Sequence, residues 1–368
     1  MKLVKSIKCR LLVNQEEREA LRQTINAFSQ ACNDILAIAR EKKDFNQYRL
    51  HHLTYRLIKD RYHLQANLVV RAIARVAQKR KRRPKFFKAR SVDLDMRTFK
   101  FIEKKEMVSL STIKGRMKFK LSLSNYHRGI LAGQNPKSAT LFYQKSKKTF
   151  YINFVLEKEV ATPFGSNPVG IDLGINNLAT ASNGLRFSGK QAKHIRNHFQ
   201  QIRSSLQAKG TKGAKKTLIR LSGKERRTMA QINHTISRRI VNSLKEGEVA
   251  VMEKLTHIRE NTTVRKEQRY IHNSWAFAQL QNFITYKALE KGIPTILVNP
   301  KDTSHICPRC GQLGSRIKHL FSCSCGYCNN ADFVGAFNIS KRGLAFLDGL
   351  SVNQPQINTI SVVESPAL

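Results

Sequence analysis

The chain is short of acids: 25 Asp and Glu face 66 Lys and Arg, a formal net charge of +41 over 368 residues. With an ordinary apolar content, so large an imbalance leaves self-repulsion uncompensated and implies a polyanion partner, nucleic acid first. No run approaches the roughly 18 to 20 apolar residues of a spanning helix. The basic residues are spread over the whole chain instead of along one amphipathic helix or beside an apolar span, so no membrane partner is expected. The start, Met1 to Arg10, is interrupted by charge too often for a signal peptide, so an intracellular protein is expected. Cysteine is scarce outside one cluster, since five of the seven fall between Cys307 and Cys328. Inside a cell such clustering argues for metal and against a disulfide framework, while Cys9 and Cys32 sit at apolar positions and read as core. There is no internal repeat, and no Tyr or Ser nucleophile motif stands out to suggest a strand transferase.

What is present suffices for two or three domains. Ile7, Cys9 and Leu11 alternate with Lys8 and Arg10 as in a half-buried strand. Leu21, Ile25, Phe28, Cys32 and Ile35 then line one face of a helix. A second helical region runs from about Tyr48 to Gln78, with Leu50, Leu53, Leu57, Leu64, Leu68 and Ile73 as its apolar side. The acid-free stretch Lys79, Arg80, Lys81, Arg82, Arg83, Pro84, Lys85, Phe86, Phe87, Lys88 is either a solvated linker or a nucleic-acid contact, and the aromatics beside cations favour the second reading. Alternation at Met117, Phe119, Leu121, Leu123 and again at Phe150, Ile152, Phe154, Leu156 predicts a small β domain with one apolar and one basic face.

Pro163 to Pro168 marks a boundary, after which an apolar run surrounds one carboxylate, Asp172, before the turn at Gly174 and a second strand at Leu178 and Ala179. A buried acid is satisfied by backbone donors or neutralised by a metal. Two basic helices follow, carrying Ile195, Phe199, Ile202, Leu206 and Ile232, Ile236, Ile240, Leu244, with Glu225 the lone acid in the stretch between them. The strand from Val249 ends on Glu253, and strand–helix alternation from there favours an α/β core. The tail from about Leu347 is expected to fray.

Cys307-Pro308-Arg309-Cys310-Gly311 and Cys323-Ser324-Cys325-Gly326-Tyr327-Cys328 read as the two halves of a tetrahedral zinc site. Cys325 can pair with Cys328 across two residues, the usual spacing, or with Cys323 across one, which Phe321 and Gly326 favour. The expected ligands are Cys307, Cys310, Cys325 and Cys328, with Cys323 the alternative. Asp332 opens a helix and alone would be a helix N-terminal acid. With Asp172 and Glu253 it makes a set of three carboxylates that would repel unless divalent cations sat between them. Mg²⁺ held by carboxylates is a phosphodiester-hydrolysing arrangement.

Gly170-Ile171-Asp172-Leu173-Gly174, Glu253 in Val-Met-Glu-Lys-Leu, Thr303 to Gly311, and Asn330-Ala331-Asp332-Phe333-Val334-Gly335-Ala336, in this order, resemble TnpB, the OrfB-type transposon-encoded family related to compact type V CRISPR effectors. Ala31-Cys32-Asn33, Trp275 to Leu280 and Tyr286-Lys287-Ala288 extend the resemblance over most of the chain. It implies a multidomain protein, α/β plus β. Residues 1–12 and 79–160 would form an N-terminal β-barrel-like wedge domain, and 13–78 its helical recognition insertion. A RuvC core of ribonuclease H type would span 168–300 and 332–346, with a zinc ribbon inserted at 301–331 and a flexible tail at 347–368. The implied function is an RNA-guided DNA endonuclease with two Mg²⁺ at Asp172, Glu253 and Asp332 and a structural zinc. Its partners would be guide RNA and double-stranded target DNA with a short flanking motif, in a monomer at the nucleoid of a prokaryotic cytoplasm. The alternatives are a nuclease-inactive RNA-guided repressor, a compact type V CRISPR effector, or a basic zinc-ribbon protein with no guide.

Overall fold

The computed structural model describes residues 2–80, 84–160, 164–255 and 277–353; Lys81, Arg82, Arg83 and Trp275 lie outside the described residues. The chain divides into two units, Lys2–Lys158 and one that begins at Glu159.

The first unit opens with β1 (Lys2–Leu12), then α1 (Gln15–Glu41), α2 (Gln47–Tyr62) and α3 (Ala66–Ala77). It continues through β2 (Ser91–Asp95), β3 (Phe99–Ile102), β4 (Met107–Thr112), β5 (Gly115–Ser122), α4 (Asn125–Leu131), β6 (Ser138–Gln144) and β7 (Thr149–Glu159). The seven strands form one sheet in the order β2-β6-β7-β1-β5-β4-β3, with no pairing between the end strands β2 and β3 among the described residues. Helix α1 starts on a capping box: Asn14 Oδ1 accepts from the Glu17 N–H and Glu17 Oε2 from the Asn14 N–H, each at 2.8 Å. Leu21, Ile25, Phe28, Cys32 and Ile35 are all buried, as their spacing predicts.

The second helical region departs from its predicted face. Leu53 and Leu57 are half exposed, and Thr54 and Ile58 are buried instead. Four-residue steps from Leu50 lead to Thr54 and Ile58 along one ridge, which leaves the two leucines on the flank. His63 takes the left-handed conformation at φ 50° and splits the region into α2 and α3.

The second unit contains β8 (Gly165–Asp172), β9 (Asn177–Ala181), β10 (Arg186–Ser188), α5 (Lys190–Lys209), α6 (Lys212–Ser243), β11 (Gly247–Glu253), α7 (Phe277–Glu290) and β12 (Thr295–Val298). It ends with β13 (Ser315–Ile317), β14 (Leu320–Ser322), β15 (Cys328–Asn330) and α8 (Ala331–Asn353). A five-stranded sheet runs β10-β9-β8-β11-β12, with β8, β11 and β12 parallel and β9 and β10 antiparallel additions. Strands β13 to β15 form a separate small sheet. The long hairpin of α5 and α6 is clasped by an Arg203–Glu225 ion pair, which accounts for the lone acid of that basic stretch.

The five-stranded sheet is covered on both faces. Ile171, Ala250 and Met252 pack with Ile240 and Ile284 in one core, whereas Val249 and Val251 pack with Ile339 of α8 in another. Alternation of side chains along a strand produces this division. Helix α8 lies against β8 at backbone distance: a Cβ on Gly170 would stand 1.9 Å from the Ala336 carbonyl oxygen and 2.5 Å from the Ser340 nitrogen. The Ser340 hydroxyl donates to the Pro168 carbonyl at 2.6 Å. The helix continues to Asn353, past the Leu347 at which a flexible tail was expected, because Leu347 still packs against the Ile339 core.

Gly170→Ala is therefore expected to unseat α8 and cost about 1–3 kcal/mol, the range of core overpacking. In calorimetry the transition of the second unit should fall in temperature, and an unchanged transition would refute this account of the contact.

Candidate active site and metal centre

Ile171 on β8 is paired with Met252 on β11, and the next residue on each parallel strand is an acid, Asp172 and Glu253. Both follow the alternation that turns Gly170 and Val251 toward α8, so both reach the α8 face at the carboxyl ends of their strands. Ligands of open α/β sheets bind at this end. The third acid is the second residue of α8, Asp332. Gly335, one turn along, passes close enough that its Cβ would lie 3.2 Å from Asp172 Oδ2.

Two of the acids are held by neighbouring side chains. Asp332 Oδ2 accepts from Asn177 Nδ2 at 2.7 Å, and Oδ1 from Arg316 Nη2 at 3.3 Å. Its backbone N–H donates to Asn330 Oδ1 at 3.0 Å. Glu253 Oε1 accepts from the Thr303 hydroxyl at 2.5 Å, and Asn338 of α8 in turn donates to the Thr303 carbonyl at 2.8 Å. Burial raises the Asp172 carboxyl to about 7, and the carboxylates of Glu253 and Asp332 push the same way, against Arg316 and the Leu173 N–H. Burial also raises Glu253, opposed by the Thr303 hydroxyl and by Arg342. The arrangement is short of positive charge: three acids, two of them raised, with Arg316 at one edge. Thr180, directly opposite Asp172 on β9, is buried and its hydroxyl has no hydrogen-bond partner. An all-oxygen donor set with an orphaned hydroxyl beside it fits a hard, partly hydrated divalent cation.

The cysteines form the tighter cluster. The sulfurs of Cys307, Cys310, Cys323 and Cys325 all lie within 4.8 Å of one another, and among the described residues this is the one His, Cys, Asp or Glu group compact enough to close on an ion. The three acids do not make so compact a group, although Asp172 feels the charge of both Glu253 and Asp332. Cys307 and Cys325 are 3.6 Å apart, Cys310 and Cys323 3.4 Å. A tetrahedral thiolate site with bonds of about 2.3 Å needs similar sulfur separations.

Cys323 is thus in the cluster and Cys328 is not, contrary to the expected ligand set. Two turns that each close on a left-handed glycine explain it. Gly311, at φ 77°, returns its N–H to the Cys307 carbonyl at 3.0 Å, and Gly326, at φ 83°, returns its N–H to the Cys323 carbonyl at 3.0 Å. In each turn a Cys-Gly step supplies the second sulfur and the left-handed residue. Cys328 comes after the second turn, on β15 opposite Ser322, and is exposed. The Cys325 N–H, directed at the Cys323 sulfur, leads the causes that lower that thiol to about 6, toward the thiolate a metal requires.

The nucleic-acid candidates of the first unit separate. Phe86 is 58% exposed with the Lys88 ammonium 5.8 Å from its ring, free to stack. Phe87 is instead anchored: Asn33 Oδ1 accepts its N–H at 2.6 Å, while Asn33 Nδ2 and the Ser29 hydroxyl donate to its carbonyl at 3.1 and 2.9 Å. The backbone of Lys85 is likewise tied to Arg40, and Lys79 and Arg80 follow α3 in a turn. Arg316, Asn177, Thr303 and Thr180 were not singled out in the sequence. Thr303 lies inside a recognisable motif, but nothing in the sequence marked the roles of Asn177, Thr180 or Arg316.

The chain superimposes on a Cas12f1 chain from the cryo-EM structure of a Cas12f1–sgRNA–target DNA complex with a TM-score of 0.66 at 15% identity, covering 89% of this chain and 83% of that one. Residues 152–257 match the OrfB IS605 family model, described as a probable transposase, and residues 277–339 match the Cas12f1-like TNB domain. A TnpB-like protein of Methanocaldococcus jannaschii is 37% identical over 157 residues, 41% of this chain and 56% of that protein. The CRISPR-associated endodeoxyribonuclease Cas12f1 of Sulfoacidibacillus thermotolerans is 33% identical over 236 residues, 57% of this chain and 54% of that protein. The resemblance to the TnpB family drawn from four short motifs is thus shown. The chain spans about half the length of the curated relatives it matches. No helix among the described residues is long and apolar enough to cross a membrane.

Two outcomes are expected. Cys323→Ser should lose bound zinc and Cys328→Ser should keep it, measured as metal per chain after purification. Asp172 is raised above its ordinary value in the folded protein, so folding is favoured while the group is protonated, and that contribution is lost as pH climbs from about 4 through about 7. Asp172→Asn should therefore raise the melting temperature of metal-free protein at pH 8 and change it much less at pH 5; equal effects at both would refute the account.

Proposed function

We propose that this protein is an RNA-guided DNA endonuclease of the transposon-encoded TnpB type, with its active site at Asp172, Glu253 and Asp332. The observation that carries the proposal is the meeting of the three acids on one face, from β8, β11 and α8, in a chain whose sequence relatives are TnpB-like and Cas12f proteins. In this reading the five-stranded unit is a RuvC core of ribonuclease H type and the cysteine cluster holds a structural zinc. The sheet of the first unit, with its helical insertion, is the wedge-like domain that takes guide RNA and reads a short motif beside the target.

Asp172, Glu253 and Asp332 are the groups that would hold two Mg²⁺. When bound, such ions supply an activated water and stabilise the leaving 3′ oxygen in phosphodiester hydrolysis. Asp172, which interacts with both of the other acids, would contribute its carboxylate to the charge that draws the ions in. Thr303 fixes the orientation of Glu253, and Asn177 that of Asp332. Arg316 balances part of the negative charge before a cation binds, and thereafter its guanidinium is placed to meet a phosphate. Asn338 ties the Thr303 segment to α8, so that the outer support of Glu253 and the backbone carrying Asp332 move as one piece. Sequence selectivity would come from base pairing to the guide, with the protein holding backbone.

The test is purification with the RNA of the native locus, sequencing of that RNA, and addition of Mg²⁺ with a matched DNA library. Cleavage should need both the match and the metal. Asp172→Ala should reduce cleavage by at least about a thousandfold, of the order found when a group acting in the transition state is removed, with RNA and DNA binding kept. Guided binding without cleavage by the unaltered protein would favour the repressor, and no specific RNA would favour the zinc-ribbon reading.

A further inference from the structure

We infer that a cationic cleft beside the three acids, formed by β10, the start of α5 and the β13–β14 turn, is a phosphate-backbone site for the DNA strand being cut. This rests on the nuclease reading above. The cleft measures about 540 Å³, and its lining includes Arg186, Lys190, Lys193 and His319, together with Asn177 and Asn330. Those two asparagines are the residues that hold Asp332 by its carboxylate and by its N–H, so the cleft and the acid site share a wall.

The sheet register gives the direction. Arg186 is paired with Thr180, and Thr180 with Asp172, so the three stand in a row across β10, β9 and β8. Directly opposed residues share a face of the sheet, which puts Arg186 on the side of Asp172 and two strand spacings away, on the order of 10 Å. A strand whose scissile phosphate lies at the acids would bring its next phosphates to the cleft, one to three nucleotides along at roughly 3.4 Å or more each.

The charge pattern has no evident role in stability. Arg186, Lys190 and Lys193 are exposed and none has an acidic partner among the described residues. Lys190 and Lys193 occupy the first turn of α5, where positive charge opposes the helix dipole, and no acid is present there to offset them. Helix α5 also begins at Gly189 without a side-chain cap. A Cβ on Gly189 would stand 2.3 Å from the Ile175 carbonyl oxygen, so the helix start is held against the loop that follows Asp172. Cations placed against local preference, at the edge of an acid cluster that repels phosphate, have a physical use if an anionic strand must be drawn in and aligned.

The experiment uses the full chain with a single-stranded DNA containing 5-bromouracil, irradiated in Ca²⁺ and analysed by mass spectrometry, with RNA of the same sequence in parallel. DNA crosslinks are expected in 186–193 and near His319. They should disappear in the Arg186→Gln, Lys190→Gln, Lys193→Gln triple variant and return with the Lys190→Arg, Lys193→Arg pair. The slope of log affinity against log salt should fall by about 2 in the triple variant, from about 0.7 per lost phosphate contact. A control triple, Lys209→Gln, Lys215→Gln, Lys216→Gln on the outer surface of α5 and α6, should keep the cleft crosslinks. Cleft crosslinks without Mg²⁺-dependent cleavage would leave this site standing and remove the nuclease reading. Cleavage without cleft crosslinks, an unchanged slope in the triple variant, or preferential crosslinking of RNA would overturn the inference.

Discussion

The second unit depends on one close approach of backbone to backbone, that of α8 to β8 at Gly170. Any side chain there would collide with the Ala336 carbonyl. With the helix lying this close, Gly335 passes over Asp172, Ser340 bonds the Pro168 carbonyl, and the first turn of the helix delivers Asp332 to the strand ends. Lifting the helix by the radius of a methyl group would separate the acids and also release Asn338 from the Thr303 and Ile306 carbonyls. Packing and site geometry are therefore one requirement.

Bringing like charges together in a buried place costs free energy, and the surroundings show how it is managed. Asp172 is raised by its burial and by the two neighbouring carboxylates, while Glu253 and Asp332 each have a dedicated donor. Arg316 comes from the small sheet next to the cysteine cluster, so the same segment that would bind zinc also brings a cation to the acids. Lys341 of α8 reaches back to the Pro308 carbonyl at 2.5 Å, closing the connection from the helix to the first cysteine turn.

Much of this was legible in the sequence. The periodicity of α1, the alternation in β7 and the apolar strands ending on acids all describe single elements, whose pattern is a local property. Misreadings arose where a choice depended on what lies next to the element. Leu53 and Leu57 look as apolar as Leu50, and only the position of α1 and α3 selects the Thr54–Ile58 ridge. Cys325 and Cys328 have the commoner spacing, yet the Cys-Gly step shared by both turns was the better guide, since it encodes the backbone shape and not just the ligand count. Arg316 and Thr180 were invisible because nothing along the chain relates them to Asp332 and Asp172; their relation exists only through sheet register and the docking of α8.

The long sequence separation within the acid site has a consequence for synthesis. Asn177 and Asp332, which bond each other, are 155 residues apart. During translation the strand bearing Asp172 and the strand bearing Glu253 emerge well before α8, and the late helix completes the set. A ribosome-bound chain that has made the first two acids does not yet hold the third. The order of elements along the chain thus acts as a timer, keeping the carboxylate set incomplete until the whole unit can close.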